Sequence, residues 1–201
     1  VALKRAAHRP SRKQAVVKAA MNLHATGLGE SVTVADIAAE AGMTPAAVYY
    51  HYASKEDVLL DGLTAFGDAI RDQVARFLRR SDGRSPADLP VHLLDWLDND
   101  RASAAVWFAY SCGLSMAVEA RRRETNELIL TEIVKSVKAH NPECSLPHAS
   151  VIAAALISTI EISARAWLIR EDQLVDGQED EFRFAVTNLG ARILATPTPA
   201  R

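Results

Sequence analysis

The 201-residue chain has only two cysteines, Cys112 and Cys144. That is too few for a disulfide framework and fits a reducing compartment. No run of apolar residues reaches the 18 to 20 or so that a membrane span needs, and the N-terminus lacks the apolar stretch of a signal peptide. These absences predict a cytoplasmic protein. Enzyme signatures are missing too: there is no glycine-rich phosphate loop, no G-x-S-x-G elbow and no pair of metal ligands at helical spacing. His140, Cys144 and His148 are regularly spaced, but Pro142 and Pro147 break any helix that would align them and no fourth ligand is evident. No metal and no cofactor is expected. Strand alternation and internal repeats are also lacking, which leaves an all-α chain with enough apolar residues, 49%, for a real core.

What is present is concentrated between Thr33 and Leu60. Thr33-Val34-Ala35-Asp36 fits a capping box and predicts a helix from Val34, with Ile37, Ala38 and Ala41 as its apolar stripe and Gly42 as its left-handed end. Thr44 followed by Pro45 is an N-cap with proline in the first turn, so a second, short helix is expected from Pro45 to about Tyr52. Ser54-Lys55-Glu56-Asp57 is a further capping box. It opens a long amphipathic run through Val58, Leu59, Leu63, Phe66, Ile70, Val74 and Phe77.

The short middle helix is too weakly apolar to be a core element, and three helices set out this closely read as a helix-turn-helix. Laid N-terminus-first in a major groove, the middle helix brings Thr44, Pro45, Ala46 and Ala47 to base edges, where alanine methyls suit thymine methyls. Tyr49, Tyr50, His51 and Lys55 are then placed to meet phosphates, with Thr33 at the cap of the preceding helix as a further contact. Tyr52 is expected in the core. Residues 1 to 57 carry seven Lys/Arg and five Asp/Glu, whereas residues 58 to 201 carry 16 and 20. Lys4, Arg5, Arg9, Arg12, Lys13 and Lys18 all precede the first acid, Glu30, and form a basic arm and first helix suited to a phosphate backbone or a minor groove.

Residues 12 to 60 resemble the N-terminal domain of the TetR family of bacterial transcriptional regulators. The resemblance is carried by Ala20 to Gly27, Thr33 to Gly42, Val48-Tyr49-Tyr50-His51-Tyr52 and Ser54-Lys55-Glu56. It covers about a quarter of the chain and departs from the family pattern at His24, where an aromatic, commonly phenylalanine, is usual; a half-buried neutral histidine is expected there. The resemblance implies a homodimer that binds a palindromic operator, represses by occluding a promoter, and releases DNA when a ligand in the C-terminal half alters the separation of the two recognition helices. Two other classes are kept open: a non-sensing architectural DNA binder or an activator, and a helical enzyme using a C-terminal cavity near Cys112.

The expected organisation is a helix-turn-helix domain over 1–60 and a helical effector-binding and dimerisation domain over 61–201, with the long fourth helix shared between them. Breaks are expected at Ser81 to Pro86, near Asn99, at Asn141 to Pro147 and at Asp172 to Gly177, with Gly83 to Pro90 read as a loop. Residues 148 to 170, apolar nearly all round from Val151 to Ile160, and 179 to 195, with Phe182, Ala185, Val186, Leu189 and Ile193 on one stripe, are the dimerisation candidates. Trp96, Trp107, Phe108, Tyr110, Cys112, Met116, Glu161 and Trp167 are candidate walls of a pocket for a small, mostly apolar effector. An ion pair between Glu161 and Arg165 is the simpler alternative for those two residues.

Overall fold

The computed structural model describes residues 11–27, 29–79, 84–169 and 178–195. Lys4, Arg5 and Arg9 of the basic arm, the Ser81 to Gly83 segment and the Asp172 to Gly177 break lie outside the described residues. Nine α-helices are found among the described residues, and no strand. They are α1 (Arg12–His24), α2 (Val34–Glu40), α3 (Pro45–Tyr49), α4 (Lys55–Leu78), α5 (Leu89–Leu97), α6 (Arg101–Ala105), α7 (Met116–His140), α8 (Leu146–Leu168) and α9 (Glu179–Leu194).

Side-chain caps set most of the helix starts. Ser11 and Gln14 form a reciprocal capping box on α1, and Thr33 and Asp36 do the same on α2. At the end of α2, the Met43 amide bonds to the Ala38 carbonyl and the Gly42 amide to Ala39, with Gly42 at φ 65°. This double bond pattern turns the chain through a left-handed residue that glycine adopts without a Cβ penalty. Two starts differ from expectation. Ser54 caps α4 by accepting from the Asp57 amide and its hydroxyl donates to the Asp57 carboxylate (2.8 Å), but no bond from the Ser54 amide to that carboxylate completes the box. Pro90 lies in the first turn of α5, not in a loop, because a 3₁₀ turn at Pro86–Asp88, capped by Ser85, leads directly into that helix. Pro147 likewise sits in the first turn of α8, so the break after α7 closes at Ser145.

Two apolar clusters share α4. Val16, Ala19, Ala20, Val32, Ile37, Ala38, Val48, Tyr52 and Val58 pack α1 to α3 around the first turn of α4. From Leu59 onward, Leu63, Phe66, Ile70, Val74 and Phe77 pack instead with α5, α7 and α8. Between α6 and α7 the chain makes a π-helical turn at Val106–Tyr110 and a bend with Gly113 at φ 77°.

The last two long helices present two faces each. Ile152, Ala153, Leu156, Thr159 and Ile160 of α8 are buried, whereas Val151, Ala154, Ser158 and Ile162 face outward. By length and composition α8 is the one helix among the described residues long and apolar enough to cross a membrane, and just under half of its apolar stretch is packed inside. On α9 the single stripe expected divides. Val186 and Gly190 are buried and Phe182 and Ile193 pack on the core, while Ala185 and Leu189 point outward beside Phe184. The helix is rotated because Gly190 rests on the Pro86–Asp88 turn, where an added Cβ would lie 2.2 Å from the Ala87 carbonyl oxygen. Gly190→Ala is therefore expected to push α9 off that turn at a cost of about 1–3 kcal/mol, read as a melting temperature several degrees lower. An unchanged melt would mean that α9 is not held by this contact.

Candidate nucleic-acid interface

The candidate reading surface is the N-terminal half of α3. Thr44 takes the extended N-cap conformation and its hydroxyl accepts from the Ala47 amide (3.3 Å), which fixes where the helix begins. Val48, completely buried, anchors the helix to the first cluster, and this leaves Thr44, Pro45 and Ala46 exposed and Ala47 half-buried. The regular helix ends at Tyr49, short of the Tyr52 expected, but bonds from the Tyr50 amide to Ala46 and from the Tyr52 amide to Val48 carry the turn on and deliver Tyr52 to the core. Tyr49 and Tyr50 are 57% and 86% exposed, and the Tyr50 and His51 rings meet edge to face with centroids 5.1 Å apart. Rings this open are placed for contact with something outside the chain. Thr33 and Arg12 are also exposed.

The frame beneath this surface is a polar lock joining α1, the end of α3 and α4. The Tyr52 hydroxyl donates to Asp61 (2.6 Å), Lys13 reaches the same carboxylate oxygen (3.0 Å), and the Lys13 ammonium lies over the Tyr52 ring at 5.2 Å. The Tyr52 hydrogen bond, with help from Lys13, holds the Asp61 carboxyl below the ordinary carboxylate range despite some burial. Burial, with Asp61 second, raises the Tyr52 phenol. Because Asp61 is depressed in the folded state, its stabilisation is present above the unfolded value of about 4 and is lost as pH falls through the folded value. The stability gap between the wild-type protein and Asp61→Asn should accordingly be full at neutral pH and narrow as pH falls below about 4 in urea titrations. A pH-independent gap would remove the charge from this account. On α2, the Thr33 hydroxyl, then its amide, lowers the Asp36 carboxyl.

Lys55 is directed inward. Its Nζ donates to the Val32 carbonyl (2.7 Å) and ties the start of α4 to the turn before α2. His24 is fully buried rather than half-buried. Its Nδ1 must carry a proton, because its partner at 2.8 Å is the Ala20 carbonyl, and the ring packs against Gly29, where an added Cβ would strike Cδ2 at 2.7 Å.

The eight candidate effector residues do not line one cavity. Trp96, Trp107 and Phe108 surround Phe66, with centroids 5.6, 5.8 and 6.4 Å away. Tyr110 leaves that group at the π-helical turn and lies against Gly27 of the helix-turn-helix (φ 80°), whose added Cβ would stand 3.3 Å from the Tyr110 ring. Cys112 is exposed in the following bend, and Met116, 84% exposed, points to solvent from the first turn of α7. Glu161 accepts from Asn126 of α7 (3.1 Å) and forms no ion pair with Arg165. Trp167 belongs to a separate knot: it stacks on Phe182, lies under the Arg183 guanidinium at 4.7 Å, and donates to Asp98 (3.0 Å). Helical spacing cannot anticipate this separation, since the π-helical turn rotates Trp107 and Tyr110 apart and Trp167 lies near the far end of α8.

A cleft of about 810 Å³ lies elsewhere, between α1 on one side and α4 to α6 on the other. Of the eight candidates only Trp96 lines it, beside Val17, Met21, Ala65, Phe66 and Ala102. The sequence signal for it is the set of small residues Gly62, Ala65 and Ala69 at helical spacing on α4.

Comparison with known proteins agrees with this geometry. Residues 16–61 match the model of the bacterial regulatory proteins of the tetR family. The HTH-type transcriptional regulator BetI of Agrobacterium fabrum is 30% identical over 163 residues, covering 76% of each chain. Among solved structures, the fatty acid degradation regulator FadR of Bacillus halodurans superposes with a TM-score of 0.72 at 15% identity, over 94% of this chain and 98% of that one. FadR of Bacillus subtilis, in complex with stearoyl-CoA, gives 0.70 at 12% identity over 91% and 98%. With a relative of this similarity along three quarters of its length, and a reading helix built as described, the chain belongs to the TetR family of bacterial transcriptional regulators.

Proposed function

We propose that this chain is a ligand-responsive repressor that binds a palindromic operator as a homodimer and is released by a small, mostly apolar effector. The observation that carries the proposal is the exposed N-terminal half of α3, small at Ala46 and Ala47 and flanked by Tyr49, Tyr50 and His51. Small side chains let the helix backbone approach the groove floor, while the tyrosine hydroxyls and His51 suit the phosphates on either side. Support for the dimer comes from the outward faces of α8 and α9. Val151, Ile162 and Phe184 are 69%, 72% and 69% exposed, and such faces pack as a four-helix bundle when two copies meet on a two-fold axis. An effector with a large apolar part has a parallel in the stearoyl-CoA bound by FadR of Bacillus subtilis.

Footprinting on the DNA just upstream of the chain's own coding region tests this reading. Two protected half-sites of inverted sequence, their centres about 34 Å or a multiple apart, are expected. A single protected stretch without symmetry would overturn the two-fold mode.

A further inference from the structure

We infer that the cleft between α1 and the α4 to α6 wall is a binding site for an amphipathic organic acid, an assignment that rests on the ligand-responsive reading above. At about 810 Å³ it falls within the range of about 300–1,000 Å³ typical of small-ligand sites. It lies beside the close packing of α1 on α4 at Gly62. At Gly62 an added Cβ would lie 2.7 Å from the Met21 sulfur, whereas Ala65 and Ala69, in the next turns of α4, are too short to reach across. The floor is apolar, with Val17 and Met21 facing Phe66, Trp96 and Ala102.

The rim supplies the charge preference. Lys13 and Asp61 neutralise each other at 3.0 Å. Arg101 is salt-bridged to Asp98 and donates to the Trp167 carbonyl (3.1 Å), while Asp100, on the opposite wall from α1, caps the Ser103 amide (3.3 Å) and keeps its negative charge there, so an anionic group belongs at the α1 edge. Lys18 of α1 also lines the cleft, and it has no ion-pair or hydrogen-bond partner among the described residues. An apolar floor with an uncommitted ammonium at its edge selects a ligand with an apolar body and an anionic end. Since Val16, Ala19 and Ala20 of α1 belong to the packed helix-turn-helix cluster, a molecule wedged between α1 and α6 turns the whole reading head. Couplings of this kind change affinity by about 5- to 150-fold.

The test uses dodecanoate, dodecylammonium and 1-dodecanol, each below its micelle concentration, titrated into the full chain while tryptophan emission is followed. Trp96 lines the cleft, whereas Trp107 and Trp167 are buried away from it. Dodecanoate is expected to give a saturable change that disappears in Trp96→Phe. Ala65→Phe, at an exposed helical position that keeps its circular dichroism, should weaken binding about tenfold or more by filling the cleft. Lys18→Glu should move the preference from dodecanoate to dodecylammonium, and dodecanoate should lower DNA affinity in the wild-type chain. Undiminished dodecanoate binding in Ala65→Phe, or no binding of any of the three to a protein that still holds DNA, would overturn the site and leave the regulator reading standing. Binding that Ala65→Phe weakens but that leaves DNA affinity unchanged would uphold the site and overturn the ligand-responsive reading.

Discussion

Replacing Ala46 by glutamate is expected to cut operator affinity by about 100-fold or more while leaving the fold intact. Ala46 is exposed in the first turn of α3, and none of its neighbours depends on its side chain. A carboxylate near a helix N-terminus is favourable by about 0.3–1 kcal/mol through the helix dipole, so the free protein should melt at the same temperature or slightly higher. In the groove the same group is too large for close backbone approach and carries the sign of the phosphates around it. Opposite effects on folding and on binding separate a reading role from a structural one. Retained operator affinity in Ala46→Glu would mean that another face of the domain meets the bases.

The second large effect is expected at Ile162. This residue is 72% exposed on α8 and lies on the same outward face as Val151, Ala154 and Ser158. Ile162→Arg should therefore leave the single chain folded, since the guanidinium has water all round it. In a two-fold bundle, however, each copy would bring a charge into the apolar centre, where an unpaired ion costs several kcal/mol. Sedimentation should show the dimer replaced by monomer. Operator affinity should fall by about 10²- to 10⁴-fold, the usual loss when two half-sites are no longer bound by linked modules. A variant that sediments as a dimer would place the subunit contact on another surface.

The local fold was legible where single residues dictate it. Thr33 with Asp36, Gly42, and Thr44 with Pro45 specify caps and a left-handed stop through bonds between residues at most five apart, and the structure makes those bonds. Tyr52 was legible as core, though not as the donor to Asp61, because the Lys13–Tyr52–Asp61 lock joins three helices and no periodicity couples them. The faces of α8 and α9 were legible as apolar but not as divided. Which side of α9 turns inward is decided by Gly190 against Ala87, a contact between residues a hundred positions apart in the chain. The cleft was the least legible feature. Aromatic content marks where large side chains pack, whereas a cleft is marked by side chains too small to fill space, here Gly62, Ala65 and Ala69.

The measurement that bears most directly on the central claim is fluorescence anisotropy of the purified chain on DNA from just upstream of its own coding region, repeated across a salt series and against a scrambled duplex of the same composition. A protein that reads bases through α3 and holds the backbone around it should bind the upstream DNA saturably and selectively. The logarithm of its affinity should fall with the logarithm of salt concentration by about 0.9 per phosphate contacted. Weak binding of equal strength to both duplexes would contradict sequence-specific regulation from this site.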